Sequence, residues 1–152
     1  MKFKPIIVVA GEPNSIFSEI FIKTLNNNNF KSPIILICSK KLFLKQAKIL
    51  KLNFIFNEIK ELSDLTKSYK YKKLNLINVD FLQLKPFQNI SSKSNKYIED
   101  CFKIGLELIR LKISNKFING PISKKTFLKN KFNGITEYLA FKTKTKNYAM
   151  II

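Results

Sequence analysis

The chain contains no histidine, a single arginine, two cysteines and four glycines among its 152 residues. Without histidine, these residues supply no imidazole for acid–base catalysis or for metal binding. The single arginine leaves almost no guanidinium groups to bind phosphate or guanine through paired hydrogen bonds, which disfavours sequence-specific DNA recognition.

The spacing of the cysteines and the length of the apolar stretches exclude further classes of protein. Cys38 and Cys101 are isolated and lack the CxxC spacing of zinc or redox sites, so we expect two buried, reduced thiols. No stretch reaches the roughly 20 apolar residues that a membrane span needs. The apolar run Ile6–Ala10 is shorter than the core of a signal peptide. We therefore expect a cytoplasmic protein with no membrane partner.

Positive charge dominates the composition, with 28 basic and 10 acidic residues and a formal charge of +18. The lysines are spread from Lys2 to Lys146 and form no visible cluster, which favours a solvated lysine surface and no nucleic-acid partner. An alternative remains open, in which the chain is a basic α/β module that binds nucleic acid or another polyanion.

The apolar pattern predicts an α/β fold with a mostly parallel sheet flanked by helices. Residues 3–10, 34–38 and 74–79 are rich in β-branched and aliphatic side chains, as is typical of strands buried on both faces. A helix is expected over residues 91–112, where Tyr97 begins a series of apolar positions at three- and four-residue steps. Alternating strands and helices indicate parallel βαβ units.

Other elements are expected with less regular signals. A helix after the first turn would bury Ile16, Ile20 and Leu25 and begin at Ser15 or Ser18, and Ser39 would cap a helix over Lys40–Leu50. Residues 54–56 form an apolar run and Lys60–Lys73 a polar segment. The last predicted elements are a strand at Lys116–Asn119, helices at Ile122–Lys131 and Thr136–Lys142, and a strand at Tyr148–Ile152.

Three strand-to-helix turns are candidates for chemistry. Gly120–Lys125 opens a helix, where Ser123 is placed to cap it and Lys124 to reach a phosphate or carboxylate. Gly134–Glu137 precedes another helix, with Thr136 as its N-cap. The first turn, Gly11–Ser15, lacks the glycine patterns of nucleotide-binding loops. A purely structural role in connecting strand to helix explains each turn equally well.

Taken together, the motifs resemble the N-terminal half of the 4-hydroxythreonine-4-phosphate dehydrogenase family of vitamin B6 biosynthesis. VVAGEPNSIFSEI is similar to that family's strand and Gly-Asp/Glu-Pro turn, FINGPISKKTF to its Gly-Pro-x-x-Lys loop, and NGITEYLA to its Gly-His-Thr-Glu segment. The resemblance implies a fold like that of isocitrate and isopropylmalate dehydrogenases. It spans residues 1–152 but only about half of a family member.

The resemblance also implies an activity. Such enzymes oxidise and decarboxylate 4-phosphohydroxy-L-threonine to 3-amino-2-oxopropyl phosphate, with NAD and a divalent metal (Zn, Mg or Co) as cofactors and a homodimer as the assembly. In this chain Thr136 matches the family's substrate-contacting threonine, Ile135 stands at its histidine position, and Lys124 matches the lysine of the Gly-Pro loop.

Two departures qualify that expectation. Isoleucine at position 135 forms no side-chain hydrogen bond, which favours a further alternative, a diverged non-catalytic domain. The family's three metal-binding histidines and most NAD contacts fall beyond residue 152. Because the sequence ends inside an apolar strand, we expect a chain truncated at its C-terminus and inactive alone. Six carboxylates are candidate oxygen ligands without forming a recognisable cluster: Glu12, Glu19, Asp80, Glu99, Asp100 and Glu137.

Overall fold

The computed structural model describes residues 3–61 and 74–149 of the chain. Five strands and four α-helices lie along these residues. The strands are β1 Ile6–Val9, β2 Ile34–Cys38, β3 Phe56–Ile59, β4 Leu74–Asn78 and β5 Phe117–Asn119. The helices are α1 Phe17–Asn27, α2 Lys40–Ile49, α3 Asn95–Arg110 and α4 Ile135–Thr143. Single turns of 3₁₀-helix at Ser92–Ser94 and of π-helix at Lys124–Leu128 complete the list.

The five strands form one parallel sheet in the order β3-β4-β2-β1-β5. In the centre, Ile7 of β1 lies opposite Ile35 on one side and Phe117 on the other. All residues of β2 are buried, since helices cover both faces of the sheet. The predicted α/β class with a mostly parallel, helix-flanked sheet is therefore confirmed.

Each face of the sheet contributes to its own apolar cluster. On one face α3, the π-turn and α4 pack over the sheet, and Phe102 lies at their centre, with its ring 6.0 Å from that of Phe127 and 5.6 Å from that of Tyr138. On the other face α1 and α2 bury Phe21 and Phe43. Cys38 and Cys101 are both free and buried, as predicted. Within the described segments, no helix combines the length and apolarity of a membrane span.

The prediction for α1 is wrong in its start and for two of the three residues of its buried face; Leu25 packs against the apolar cluster as predicted. The N-cap is Ile16, and no side chain caps the helix, although Ser15 Oγ accepts a hydrogen bond from Phe17 N. Ile16 and Ile20 are 63% and 53% exposed. Phe21 is buried instead, because its larger ring packs edge to face against Phe43 in the interior, and this contact sets the rotation of the helix.

The C-terminal third also departs from the prediction. The helix expected over 122–131 is only the five-residue π-turn, because Lys129 and Asn130 adopt left-handed backbone angles (φ 50° and 57°) that end it. Gly134, rather than Thr136, is the N-cap of α4. Tyr148 and Ala149 lie outside any strand, and the rest of the predicted last strand is outside the described residues, as is most of the polar segment 60–73.

Candidate functional site

Three loops leave the carboxyl ends of β1, β4 and β5 and meet at one edge of the sheet. They are residues 10–16 after β1, 79–94 after β4 and 120–123 after β5. Crevices outside the carboxyl ends of parallel strands are the usual ligand sites of α/β sheets. This edge is therefore the candidate site.

The first and third loops touch through their backbones at two glycines. Gly11 has a φ of 74°, and a Cβ atom on it would lie 2.4 Å from the carbonyl oxygen of Pro121. A Cβ atom on Gly120 would lie 2.1 Å from the carbonyl oxygen of Ala10. Glu12 N donates to Pro121 O at 2.7 Å across the same contact. Only glycine permits so close an approach of two backbones.

Glu12 links the first loop to the second through its side chain. The residue is 1% exposed, and its Oε1 atom accepts hydrogen bonds from the backbone N and the Nδ2 of Asn14, at 3.1 and 3.3 Å. Its Oε2 atom accepts from Ser94 Oγ at 2.8 Å. In the described part of the chain no lysine or arginine forms an ion pair with this carboxylate. Hydrogen bonds alone compensate its removal from water.

Amide side chains fasten the second loop further. Gln83 Nε2 donates to Asn14 Oδ1 at 2.8 Å, and Gln46 Nε2 donates to the carbonyl oxygens of Pro13 and Pro86, at 2.6 and 2.9 Å. A cavity of about 260 Å3 lies between Asn14 and the loop, with Lys93 in its lining. Neither Lys124 nor Thr136 lines this cavity.

Lys124 begins the π-turn that follows the third loop. Ser123 Oγ accepts a hydrogen bond from Thr126 N at 3.2 Å, so the predicted capping role of Ser123 is confirmed on this shorter turn. The Lys124 side chain is exposed, and its ammonium has no hydrogen-bond or ion-pair partner among the described residues. A free cation at the edge of the sheet is available to an anionic ligand.

Ile135 and Thr136 are the first two residues of α4. Both are partly buried, and Ile135 packs against the apolar cluster of α3. The helix start is stabilised by Glu137, whose carboxylate accepts from Asn133 N at 2.8 Å and from Asn133 Nδ2 at 3.1 Å. The hydroxyl of Thr136 has no hydrogen-bond partner within residues 3–61 and 74–149. It is free to bind a ligand at the helix N-terminus.

The structure packs the segment of Lys124 against the segment of Thr136. The ring of Phe127, in the π-turn, contacts the ring of Tyr138, in α4, at a centroid distance of 5.2 Å. Asn95 Nδ2 at the start of α3 donates to Thr126 O at 2.8 Å, which fixes the π-turn to the start of that helix. Two segments that sequence reasoning singled out separately are thus packed neighbours.

Comparison with known proteins identifies the family of this chain. Residues 29–152 match the profile of the family described as "Pyridoxal phosphate biosynthetic protein PdxA". The chain belongs to the PdxA family. A curated relative, 4-hydroxythreonine-4-phosphate dehydrogenase from a Sulfurihydrogenibium species, is 31% identical over 148 residues, which are 95% of this chain and 44% of the relative.

Solved structures of enzymes with the same name share the fold of this PdxA-family chain. The Klebsiella pneumoniae structure has a TM-score of 0.79 and 20% identity, over 97% of this chain and 46% of that one. The Burkholderia phymatum structure has a TM-score of 0.76 and 17% identity, over 95% and 45%. At these identities the likeness establishes the fold alone. The chain spans a little under half the length of these relatives.

The six candidate carboxylates do not come together as a metal site. No group of three or more metal-ligating side chains occurs in the described part of this PdxA-family chain. Four of the six have separate partners on the surface: Glu19 pairs with Lys23, Asp100 with Lys96, Glu99 with Lys142, and Asp80 accepts from Asn78. The carboxylates of Glu12 and Glu137 accept the hydrogen bonds from Ser94 and Asn133 described above.

The two thiols behave as part of the core beneath the site. Burial raises the pKa of Cys101 to about 12 and that of Cys38 well above its ordinary value. Tyr97 OH accepts from Ser39 N at 3.0 Å, and burial also raises the pKa of this phenol. Neutral, buried thiols are poor nucleophiles, so neither cysteine is a candidate for covalent catalysis.

Sequence reasoning missed the residues that hold the site together. The sequence marks Glu12 as part of a candidate turn and as a candidate oxygen ligand for a metal, whereas in the structure it is a buried anchor between loops. Ser94 lies within the helix predicted over residues 91–112, and nothing in the sequence indicates its bond to Glu12. The available signal was local: an acidic residue directly after Gly11, at the end of a buried strand, faces the interior of the loop cluster.

Proposed function

We propose that this chain is the N-terminal part of a 4-hydroxythreonine-4-phosphate dehydrogenase of pyridoxal phosphate biosynthesis, and that it provides the surface that binds the phosphorylated hydroxy-amino acid. Membership of the PdxA family and the name of the curated relative support the reaction class. The observation that supports the binding surface is the pair of free polar groups on adjoining segments, the Lys124 ammonium and the Thr136 hydroxyl.

The chemistry of these groups suits an anionic substrate. Lys124 would attract a phosphate or carboxylate oxygen, and the Thr136 hydroxyl would donate a hydrogen bond to the same molecule. The first backbone N–H groups of α4, around Ile135, point out of the N-terminal end of the helix, which is also the positive end of the helix dipole. Anions are favoured at such a helix start.

The redox chemistry needs groups that the described residues do not provide. They contain no cluster of metal ligands, and the turn Gly11–Ser15 lacks the glycine pattern of a nucleotide loop. No hydride-transfer or metal-assisted step is therefore assigned to them. We expect NAD, a divalent metal, oxidation to 3-amino-2-oxopropyl phosphate with decarboxylation, and a cytoplasmic homodimer only for a protein with further polypeptide. The chain alone is expected to be inactive.

Calorimetric titration of the purified chain with 4-phosphohydroxy-L-threonine tests the binding surface. We expect saturable binding that weakens about tenfold or more in Lys124→Ala, since a charge-assisted hydrogen bond contributes about 1.5 to 3 kcal/mol. Lys48→Ala is the matched control, because Lys48 is an exposed lysine in the last turn of α2, away from the site. Equal affinities of the two variants would refute the role of Lys124.

An enzyme assay tests the reaction class separately. The longest open reading frame that contains this chain would be expressed and assayed for NADH formation with the same substrate and a divalent cation. We expect turnover that requires both the metal and the phosphorylated substrate. A second candidate function, substrate binding without catalysis, is favoured by Ile135, whose side chain cannot form hydrogen bonds. It predicts binding with no NADH.

A further inference from the structure

Glu12 contacts all three loops of the candidate site. Its backbone N donates to Pro121 O in the third loop at 2.7 Å, and its carboxylate accepts from Asn14 in the first loop and from Ser94 at the end of the second. The side chain is buried and does not reach a free surface. Its contacts are therefore with the supports of the site and not with a ligand.

Two connections lead from Glu12 to the turn of Lys124. The first is the backbone bond to Pro121, three residues before Lys124. The second begins at Ser94, whose neighbour Asn95 donates from Nδ2 to Thr126 O at 2.8 Å, two residues after Lys124. The turn is thus fixed on both sides of Lys124, and both attachments lead to Glu12.

The burial of Glu12 makes this arrangement sensitive to change. A carboxylate removed from water without a cation depends on every hydrogen bond that it accepts, because an unpaired buried acceptor costs about 1 to 3 kcal/mol or more. Its two oxygens bond to different loops, Oε1 to Asn14 and Oε2 to Ser94. A displacement of the second loop relative to the first leaves Oε2 without its partner.

We propose that Glu12 is a positioning residue, which sets the location of Lys124 by holding the start of α3 and the Gly120–Pro121 turn against the first loop. The proposal rests on the proposed function for the identity of what Lys124 binds. A misplacement of about 1 Å at a binding group reduces its contribution strongly, so a support that touches no ligand still affects affinity.

The first test is structural and needs no ligand. Amide chemical shifts of the 15N-labelled chain would be compared between wild type, Glu12→Ala and Ser94→Ala. We expect both substitutions to move the amide signals of residues 120–126. If the changes are confined to residues 10–16 and 91–95, the proposal is wrong. Ser94→Ala keeps the two Asn14 contacts of Glu12, so it serves even where Glu12→Ala does not fold.

The second test measures affinity for inorganic phosphate as the probe. Glu12→Ala and Ser94→Ala are expected to weaken binding about tenfold. Glu12→Gln is expected to stay within about twofold, because its amide oxygen accepts from Asn14 while its Nε2 donates to Ser94 Oγ, whose single proton then turns to the carbonyl oxygen of Ser91, 2.9 Å away. Loss of binding in Glu12→Gln equal to that in Glu12→Ala would contradict the positioning role.

Ser114→Ala controls for a general loss of stability. Ser114 is buried at the opposite edge of the sheet, where its Oγ donates to Pro5 O and accepts from Lys116 N. We expect this variant to lose stability without moving residues 120–126 or the phosphate affinity. If the wild-type chain binds no phosphate, only the proposed function is refuted, because the chemical-shift comparison still decides the role of Glu12.

Discussion

Ser94 Oγ donates a hydrogen bond to Glu12 Oε2 at 2.8 Å, which joins two residues 82 positions apart in the chain. The bond fastens the N-terminal end of α3 to the loop after β1. Together with the backbone contact of Gly11 and Gly120, it assembles the loops of three different strands into one edge. The candidate site is therefore a product of long-range contacts rather than of a single local motif.

The close approach at Gly120 predicts a large effect of a single methyl group. Gly120→Ala places a Cβ atom 2.1 Å from Ala10 O, a backbone atom that cannot rotate away. We expect the free energy of unfolding, measured by urea denaturation, to fall by about 2 to 3 kcal/mol. Gly134→Ser is the control: its Cβ meets no heavy atom within 4 Å, and serine is a favourable N-cap. A similar loss in both variants would contradict the steric account.

Ser18 offers a substitution that stabilises the chain. Its side chain is 2% exposed, and Oγ has no hydrogen-bond partner among the described residues. Ser18→Ala removes this unsatisfied hydroxyl and adds helix propensity in α1, so we expect the free energy of unfolding to rise by about 1 kcal/mol. Ser114→Ala, which removes a paired hydroxyl, should lower it by a similar amount. Destabilisation by Ser18→Ala would mean that its hydroxyl is satisfied.

Alkaline pH should weaken the fold through Cys101. Burial raises the pKa of this thiol from 9.0 to about 12, so the folded chain retains a proton that the unfolded chain releases. The contribution is complete below about pH 9 and is lost as the pH rises toward 12. The free energy of unfolding, measured by denaturation at several pH values, should fall as the pH rises above 9. Cys101→Ala should reduce the slope of this fall by up to about 1.4 kcal/mol per pH unit. Parallel curves for the two proteins would contradict this explanation.

Ile135→His tests the departure from the family pattern. At the first position of α4, an imidazole would add a hydrogen bond to an anionic substrate, and we expect about tenfold tighter binding of 4-phosphohydroxy-L-threonine near pH 6. Stability should fall, since Ile135 packs against the core. Ile135→Leu keeps the apolar contact and should leave affinity unchanged. Equal affinity of the histidine and leucine variants would place the substrate elsewhere.

The sequence predicts most of the strands and two of the helix starts. The strand predicted at 34–38 (IILIC) has the same bounds as β2 in the structure, because a continuous run of β-branched and aliphatic residues fits a strand covered on both faces. Ser39 caps α2 as expected, with its Oγ accepting from Leu42 N at 3.4 Å. The helix at 91–112 is present as Asn95–Arg110, since its apolar periodicity is long and regular.

What the sequence could not provide depends on tertiary contacts. The rotation of α1 is set by how Phe21 packs under the sheet, and the period of the helix permits either face. The π-turn at Lys124–Leu128 ends through backbone angles that the local composition does not dictate. Resemblance to a family is what points to Lys124 and Thr136 in the sequence. That their two segments adjoin depends on the contact between Phe127 and Tyr138, which no spacing rule specifies.

The most direct test of the account is a titration of the 15N-labelled chain with 4-phosphohydroxy-L-threonine, followed by amide chemical shifts. Binding between the two adjoining segments predicts saturable shifts in residues 120–126 and in residues 134–137, with one common dissociation constant, and their loss in the Lys124→Ala, Thr136→Ala double variant. Saturable shifts in only one segment, or in neither, would contradict the proposed substrate surface.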